Sequence, residues 1–308
     1  INIMFNVPVV IMVYNRPKQT KRLLKNLEKI KPKNLIIISD GAKKNTHDLM
    51  KVNKVQNIIK QINWNCKKLY ISSKYNLGLK KRIYSGLNIV FRNYNQAIIL
   101  EDDCIPNKSF FYFCEKLLNI YKNNKKITSI SGNNFNSINI NESYYFSKYS
   151  SIWGWATWKR SWKKFDIKMK FWPKYRKSQK WKNDCPDIVE RTFWEKNFDS
   201  VYKGVINSWA YPFLLNNFYH NHLTIVPKYN LVKNIGFGKN ATNTNKYEKK
   251  FSPMVKNLNQ NLIIPKKIIQ NVEADILDFG NVFGGGRRNK QPIKFFYMMY
   301  LNIVKYIK

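Results

Sequence analysis

The sequence predicts an α/β protein built on a mixed, mostly parallel sheet flanked by helices. Three observations support this fold class. Short apolar segments rich in β-branched residues recur along the first hundred residues, as in strands buried on both faces of a parallel sheet. Segments with apolar residues at helical spacing lie between them. Polar residues follow the apolar segments directly, at the sheet edge where α/β proteins bind ligands.

The elements alternate along the chain. The segments that read as strands are 7–14 (VPVVIMVY), 35–39 (LIIIS), 68–72 (KLYIS) and 97–100 (AIIL). Residues 22–30 and 79–91 read as helices, because each places four apolar side chains on one face. This order, strand then helix then strand, is typical of parallel strands joined by helices.

Three adjacent carboxylates, Glu101, Asp102 and Asp103, follow the fourth strand segment. The chain has 18 Asp and Glu against 55 Lys and Arg, so neighbouring acids at a strand end indicate a function. Mg²⁺ and Mn²⁺ favour carboxylate oxygens and complete their shells with water and phosphate oxygens. The tripeptide therefore predicts a divalent cation site for a nucleotide-diphosphate substrate. The alternative is a solvated acidic turn or an acidic helix start.

Polar residues also follow two other strand segments, as Asn15-Arg16-Pro17 and as Asp40-Gly41. Because the carboxyl ends of parallel strands share one edge, we expect Arg16, Asp40 and Asp103 to face one cleft. Arginine offers a planar fork for phosphate oxygens, and an aspartate before glycine can accept a hydrogen bond from a base or ribose. The alternatives are an exposed arginine and a plain Asp-Gly turn.

These motifs resemble those of GT-A fold glycosyltransferases. The matching segments are VYNRP (13–17), SDG (39–41), NLGLKKRIYSGLNIVF (76–91), LEDDCIPNKSFFYF (100–113), SSIWGWATWKRSW (150–162) and IVPKYNLVKNIGFGKNAT (225–242). Their order is similar to that of the N-acetylglucosaminyltransferase that initiates complex N-glycans and of bacterial family 2 or haemolysin-like sugar transferases. The resemblance implies a Rossmann-like GT-A fold. It also implies transfer of a hexose or N-acetylhexosamine from a nucleotide sugar, UDP-linked by preference, to a glycan or glycolipid acceptor with inversion.

The resemblance assigns roles to individual residues. Asp103 would be the direct ligand of Mn²⁺ or Mg²⁺, Arg16 would meet the diphosphate, and Asp40 would read the nucleobase edge. Further donor contacts would fall on Tyr14, Asn15, Gly78, Arg82, Glu101 and Asp102.

The tryptophans of residues 153–162 admit two interpretations. Trp155, Trp158 and Trp162 stand at i, i+3 and i+7, which predicts a helix with a core-facing stripe. Trp153 and Gly154 precede that helix and are candidates for contact with a sugar ring, as is Trp209.

An inverting transferase needs a general base that takes the proton of the acceptor hydroxyl. The resembling bacterial enzymes carry acids on both sides of the Trp in the segment that corresponds to 206–212, whereas this chain has Asn207 and Ala210. Neither side chain can take a proton. The candidate bases elsewhere are Glu195 and Asp199 first, then Asp184 and Asp187. Otherwise the chain is a non-catalytic polyanion- or membrane-binding protein on a degenerate transferase scaffold.

Histidine and cysteine give weaker signals. His220 and His222 would share one strand face, which a metal site could use, although scattered histidines are usually satisfied polar residues. The cysteines form no CxxC pair and predict reduced, packed thiols in a reducing compartment.

The formal net charge of +37 predicts attraction to polyanions. Lysines are spread along the chain and no nucleic-acid-binding motif is present, so an anionic membrane or glycolipid fits better than nucleic acid. Gly284 to Gly286 precede a basic, aromatic tail over 287–308, whose apolar stretch is shorter than the roughly 20 residues that span a bilayer. The tail suits an interfacial anchor or a terminal helix packed on the core.

The sequence divides into a donor-binding lobe (1–135), an acceptor-binding lobe (136–283) and the tail (284–308), with the two lobes sharing one sheet. The N-terminal residues read as a core strand and lack the basic region and cleavage site of a signal peptide. We expect a protein that is either soluble in the cytoplasm or peripheral on the inner face of a bacterial membrane, and the resemblance implies a role in surface polysaccharide or lipopolysaccharide synthesis. A nucleotidyl- or phosphosugar transferase is the same-class alternative, although the Gly-rich nucleotide loop that it would normally show is absent.

Overall fold

The computed structural model describes residues 5–136, 138–237 and 253–283. Its strands are β1 (Val9–Val13), β2 (Asn34–Ser39), β3 (Lys67–Ser72), β4 (Gln96–Glu101), β5 (Cys104–Pro106), β6 (Ile127–Ser131), β7 (Tyr144–Ser147), β8 (Trp155–Trp158), β9 (Leu223–Pro227) and β10 (Val232–Asn234). Its α-helices are α1 (Pro17–Leu27), α2 (Thr46–Lys60), α3 (Leu79–Asn93), α4 (Lys108–Ile120), α5 (Lys159–Trp162), α6 (Trp172–Arg176), α7 (Gln179–Asp184), α8 (Ile188–Tyr202), α9 (Ala210–His220) and α10 (Val272–Asp278). A π-helical turn, Phe279–Phe283, follows α10.

Eight strands form one mixed sheet in the order β3-β2-β1-β4-β8-β6-β9-β7. Six strands run in one direction, namely β1, β2, β3, β4, β6 and β9, whereas β7 and β8 run in the opposite direction. Separate apolar clusters cover the two faces of the sheet beneath the helices. The predicted fold class, a mostly parallel sheet flanked by helices, is confirmed. Since β6 lies between β8 and β9, strands from both sides of residue 135 share this sheet.

Helix α1 begins at Pro17, five residues before the predicted start. Proline suits the first turn of a helix, where no intrahelical partner exists for the backbone N–H. The helix turns Leu23, Leu24 and Leu27 to the core. It ends before Lys31, which has a φ of 48° and precedes Pro32. The early start leaves only three residues between the end of β1 and the start of α1, and Arg16 is the last of them.

Helix α2 was not predicted from the sequence. Its N-cap is Asn45, whose side chain accepts a hydrogen bond from the Asp48 backbone N–H at 2.8 Å. Val52, Val55 and Ile59 form its buried face. Leu49 and Met50 are apolar as well but exposed, and they blur the periodic pattern of the buried face.

The predicted helical stripe of tryptophans is wrong, because Trp155–Trp158 form strand β8. This strand is antiparallel to both β4 and β6 and fills the gap between them. Residues three apart on a strand point to opposite faces, so Trp155 joins Trp162 in one apolar cluster and Trp158 joins the other. The expected burial of all three rings is confirmed. The pairing with two neighbouring strands overrides the local helical spacing.

His220 and His222 do not share a strand face. His220 ends α9, Asn221 adopts the left-handed conformation at a φ of 52°, and His222 precedes β9. The two rings stack with centroids 5.1 Å apart. The four cysteines are unpaired, and Cys104, Cys114 and Cys185 are buried.

Part of the sequence interpretation concerns residues that the structure leaves undescribed. The tail 284–308, proposed as a membrane anchor, lies outside the described residues, as does the end of the 225–242 motif. In the described part of the chain, no helix is both long and apolar enough to cross a bilayer.

Candidate functional site

Two adjacent parallel strands carry the central charges to one edge of the sheet. Strand β1 pairs with β4, with Met12 opposite Glu101. Beyond these strand ends, Arg16 Nη1 donates to Asp103 Oδ2 at 2.6 Å and to Asp102 Oδ1 at 3.3 Å. The side chains of Arg16, Asp102 and Asp103 are 16%, 8% and 10% exposed, so the ion pairs are shielded from most solvent. The structure thus joins the first two polar motifs that the sequence singled out.

One guanidinium faces three carboxylates at this edge. Burial raises the pKa of Glu101 to about 8, with Asp103 and Asp102 raising it further and Arg16 opposing them. Burial likewise raises the pKa of Asp102 to about 7. Arg16 lowers this pKa, and Asp103 raises it. Both shifts have the same cause, which is negative charge in a shielded place with too little positive charge beside it. A bound cation would relieve this excess.

These pKa values predict how stability depends on pH without metal. A carboxyl whose folded-state pKa lies above its unfolded value of about 4 stabilises fully below that value, and this contribution is lost as the pH rises toward 8. We expect the free energy of unfolding in EDTA to fall between pH 5 and 8.5. In Glu101→Gln that fall should shrink by on the order of 1 kcal/mol or more. Urea unfolding of both proteins at the two pH values measures this. An equal fall in the free energy of unfolding in the two proteins would contradict it.

A later segment, residues 232–237, closes over Asp103. Strand β10 pairs antiparallel with β5, and Asn234 lies opposite Cys104. Beyond it, the Ile235 N–H donates to the Asp103 carbonyl oxygen at 2.8 Å. Gly236 lies directly against the Asp103 carboxylate, and a Cβ at this position would collide with Oδ2 and come within 2.7 Å of Cγ. Only glycine therefore allows this approach, a constraint that the sequence interpretation missed.

Trp153 and Gly154 lie beside the same segment. Gly154 has a φ of 78°, its carbonyl accepts from the Gly132 N–H at 2.8 Å, and its Cα packs against Val232. The Trp153 ring meets Phe135 and Phe237 edge to face, at centroid distances of 5.7 and 5.9 Å. A cavity of about 530 Å³ lies on Phe237 and on the residues before it. Its described lining comprises Lys233, Asn234, Ile235, Phe237, Pro253, Met254 and Val255.

Asp40 fastens the loop that precedes α3. Its carboxylate accepts from the backbone N–H groups of Gly41 at 3.0 Å, Leu77 at 2.9 Å and Gly78 at 2.9 Å. Gly78, with a φ of 76°, is the N-cap of α3. In the first turn of α3, Arg82 donates from Nη2 to the Ile71 carbonyl at 2.5 Å, and burial lowers the pKa of its guanidinium while Asp40 raises it. Most of the acceptor capacity of Asp40 thus serves the loop.

Asp48 organises Tyr14 and Asn15, and the sequence interpretation missed it. Its carboxylate accepts from Tyr14 Oη at 2.5 Å, from Asn15 Nδ2 at 2.6 Å and from the Lys43 N–H at 2.6 Å. Burial raises the pKa of Asp48, but these hydrogen bonds outweigh burial and lower it overall. The signal that could have found it is a single acid in a strongly basic stretch, three residues after the helix cap Asn45.

The candidate bases Glu195 and Asp199 belong to a separate cluster. Trp181 Nε1 donates to Glu195 at 2.8 Å, Trp172 Nε1 donates to Asp199 at 2.9 Å, and Arg176 pairs with both acids. Of the next candidates, Asp184 accepts from Tyr175 and Lys180, and Asp187 is the N-cap of α8. These contacts join helices α6, α7 and α8 to one another, and none of them leads to Arg16 or Asp103.

Trp209 is likewise part of the core. It is 2% exposed, and its ring stacks on Trp155 with centroids 5.8 Å apart. Its neighbour Asn207 is exposed, and the Ala210 N–H donates to Ser208 Oγ at 3.2 Å at the start of α9.

The donor set suits a hard cation that takes only part of its shell from the protein. Among the described residues, no three His, Cys, Asp or Glu side chains come close enough together to hold a metal ion. Asp102 and Asp103 offer carboxylate oxygens side by side, which Mg²⁺ and Mn²⁺ accept when water and substrate phosphates supply the rest. The residues therefore fit a cation that binds together with a phosphate-bearing substrate.

Comparisons with known proteins give no family. No protein-family model matches the chain, and no curated protein matches it. Among solved structures, the mannosyltransferase PcManGT from Pyrobaculum calidifontis, in complex with GDP-Man and Mn²⁺, aligns at 12% identity and a TM-score of 0.33 over 49% of this chain and 44% of its own. HddC from Yersinia pseudotuberculosis, complexed with GMP-PN, aligns at 13% identity and 0.32 over 51% and 78%. An apo UDP-glucose pyrophosphorylase aligns at 10% identity and 0.36 over 73% and 93%.

These alignments are too weak to indicate a function, and the chain spans less than half the length of the mannosyltransferase. The chemical evidence lies in the side chains at the ends of β1 and β4.

Proposed function

We propose that this chain is a metal-dependent glycosyltransferase that moves a sugar from a nucleotide-diphosphate donor to a glycan or glycolipid acceptor. One observation carries the proposal. The ion pairs of Arg16 with Asp103 and Asp102 bring a guanidinium, which suits phosphate oxygens, beside carboxylates that suit a divalent cation, at the edge where the parallel strands β1 and β4 end.

In this proposal Asp103 holds Mn²⁺ or Mg²⁺, with Asp102 beside it. The cation would neutralise charge on the diphosphate that leaves when the glycosidic bond breaks. Gly236 supports the role of Asp103, because the chain brings its backbone against this carboxylate where any side chain would displace it. The raised pKa of Glu101 supports the same role, since unbalanced negative charge favours a divalent cation.

Arg16 would bind the diphosphate from the protein side. A guanidinium offers two parallel N–H donors to phosphate oxygens, and a shielded position strengthens that contact. Its place before α1 is fixed by Thr20 Oγ1, which donates to the Arg16 carbonyl at 2.9 Å. Tyr14 and Asn15, held by Asp48, and Gly78 and Arg82, held beside Asp40, would form the rest of the donor site.

The acceptor would enter along the cavity that Lys233, Ile235 and Phe237 line, and Phe237 connects this cavity to Trp153. The apolar lining next to Lys233 suits a glycan or glycolipid with an anionic group. Inversion, a UDP-linked sugar, and a role on the inner face of a bacterial membrane in surface polysaccharide or lipopolysaccharide synthesis are further parts of the proposal. They rest on the motif resemblance.

The proposal predicts that Mn²⁺ and the nucleotide stabilise the protein only together. Since two neighbouring carboxylates cannot complete a metal shell, we expect Mn²⁺ alone to change the Tm little. Mn²⁺ with the correct nucleoside diphosphate or nucleotide sugar should raise it by several degrees, because a ligand at about 100 times its Kd adds about 2.7 kcal/mol. Thermal-shift titrations across UDP, GDP, CDP and dTDP compounds, with Mn²⁺ or EDTA, measure this.

The same titration can contradict the proposal. If no nucleotide raises the Tm in either condition, the transferase proposal fails. Binding of that inactive protein to vesicles of anionic lipid would then favour the alternative, a polyanion- or membrane-binding protein on a degenerate scaffold. Asn207 and Ala210, which stand where the resembling enzymes carry acids, support that alternative.

A further inference from the structure

Exposed apolar side chains are grouped at the same edge of the sheet as the candidate site, in the loops that follow β2 and β3 and at the starts of α2 and α3. They are 38% to 76% exposed, and we call them the rim patch: Leu49, Met50, Tyr75, Leu77 and Leu79. Strands β2 and β3 are parallel, with Ser39 opposite Ser72 at their ends. The two loops therefore leave the sheet side by side.

Buried contacts hold the two loops together. The Asn76 side chain donates to the Gly41 carbonyl at 2.8 Å, and the Asp40 carboxylate accepts from the Leu77 N–H at 2.9 Å. A Cβ at Gly41 would lie 2.5 Å from the backbone carbonyl carbon of Tyr75, so the two backbones are in direct contact. The rim patch is thus displayed on a fixed framework.

The charge around the rim patch is positive. No Asp or Glu occurs from Leu49 to Leu100, whereas lysine and arginine recur throughout this segment. Just before it, Asp40 and Asp48 are buried and accept hydrogen bonds from backbone N–H groups. The loops also carry four exposed lysines, which are Lys43, Lys44, Lys74 and Lys81. Residues 40–100 therefore offer no exposed carboxylate to offset these lysines.

Grouped apolar side chains on a surface mark a place of interaction, and the charge selects the partner. The segments 238–252 and 284–308 are both net basic, and a second copy of the chain would bring a charge of +37. Like charge opposes all three as partners. Nucleic acid would neutralise the lysines but would leave the apolar side chains without an apolar phase. A bilayer with anionic headgroups supplies both kinds of contact.

We propose that the rim patch docks this protein on a bilayer that contains anionic lipids. The apolar side chains would enter the boundary between headgroups and acyl chains, while the lysines contact the headgroups. The strand that leads to Arg16 lies two strands from β3, on the order of 10 Å away. Docking would bring the candidate site to a lipid-borne acceptor, a consequence that rests on the proposed function, whereas the docking itself does not.

Co-sedimentation of the full chain with vesicles tests the docking. We expect binding to vesicles of phosphatidylcholine with phosphatidylglycerol, and little binding to phosphatidylcholine alone. Leu49→Ser combined with Tyr75→Ser should weaken binding about tenfold or more, because both side chains lose their contact with the apolar phase. Val205→Ser is the matched control, since Val205 is as exposed as Tyr75 but follows α8. This control should bind like wild type.

A second set of variants tests the charge. Removing three patch lysines together should weaken binding about 100-fold, because each lysine near an anionic surface is worth about fivefold; the variant combines Lys44→Gln, Lys74→Gln and Lys81→Gln. The control removes the same charge from exposed lysines outside the patch, as Lys163→Gln, Lys170→Gln and Lys196→Gln. Its binding should be nearly unchanged, since salt screens exposed charges beyond about 8 Å.

A fluorescent label shows whether the patch itself meets lipid. Cys66 is half-buried and the other three cysteines are buried, so Cys66→Ser leaves a background for labelling a new exposed cysteine. An environment-sensitive dye on Tyr75→Cys should brighten with anionic vesicles and be quenched by nitroxide-bearing lipids, because an interfacial residue enters the headgroup boundary. The same dye on Val205→Cys should show neither response.

Several outcomes would overturn the proposal. Wild type that ignores anionic vesicles, patch variants that bind like wild type, or a silent dye at Tyr75→Cys would show that the rim patch does not meet the membrane. A dye response to protein concentration without lipid would identify a second copy as the partner, and a response to duplex DNA would identify nucleic acid. Nucleotide-dependent Tm values are measured without vesicles, so failure of the transferase proposal and failure of the docking are distinguished.

Discussion

Asp103→Asn should abolish the Mn²⁺-dependent rise in Tm that the correct nucleotide produces. The change keeps the size of the side chain but removes the charge that would hold the cation. Electrostatic contact with a catalytic cation is worth several kcal/mol, and each 1.4 kcal/mol is tenfold in affinity. We therefore expect affinity for the nucleotide in Mn²⁺ to fall about 100-fold or more, measured by titration calorimetry.

The fold should survive this substitution. Arg16 keeps its contact with Asp102, and one of three crowded negative charges is removed. We expect the free energy of unfolding to change by only about 1 kcal/mol. Glu28→Gln, at the exposed end of α1, is the matched control and should behave like wild type. A folded Asp103→Asn variant with unchanged Mn²⁺-dependent nucleotide binding would show that Asp103 does not hold the metal. Asp102→Asn would then be the next variant to test.

Gly236→Ala should have nearly as large an effect without touching any charged group. The added Cβ would collide with Asp103 Oδ2 and lie 2.7 Å from Cγ. The carboxylate must rotate away from Arg16, or residues 232–237 must lift. Either response disturbs the proposed cation site, so we expect a loss of affinity for Mn²⁺ with nucleotide of about 10- to 100-fold. Overpacking should also cost about 1–3 kcal/mol of stability.

Gly280→Ala is a close control for this substitution. A Cβ at Gly280 meets nothing within 4 Å, and its backbone does not lie in the left-handed region. It should therefore leave nucleotide binding intact. Equal calorimetric affinities for Gly236→Ala and Gly280→Ala would show that the contact between residues 232–237 and Asp103 plays no part in binding.

Much of the candidate site followed from local sequence pattern. Apolar runs that end in Arg16 and in Glu101 to Asp103 locate the strand ends, and parallel neighbours bring such ends to one edge. The ion pair between Arg16 and Asp103 agrees with that expectation. The pattern was informative because a buried strand and its polar end are both recorded in consecutive residues.

Elsewhere, distant partners decided the outcome. Trp155 to Trp158 carry helical spacing, yet they form a strand because β4 and β6 offer unpaired backbone on both sides. Asp48 and Gly236 escaped notice because their partners, Tyr14 and Asp103, lie 34 and 133 residues away. Local sequence patterns do not predict contacts between residues so far apart in the chain.

The sequence by itself determined the fold class, the apolar strands and the acidic strand end, since each depends on residues close together in the chain. Only the tertiary structure decided which charges meet, which carboxylates are already engaged in the core, and where a glycine must stand. Those properties arise from packing between segments far apart in sequence, where one side chain can occupy a given space only if another leaves it.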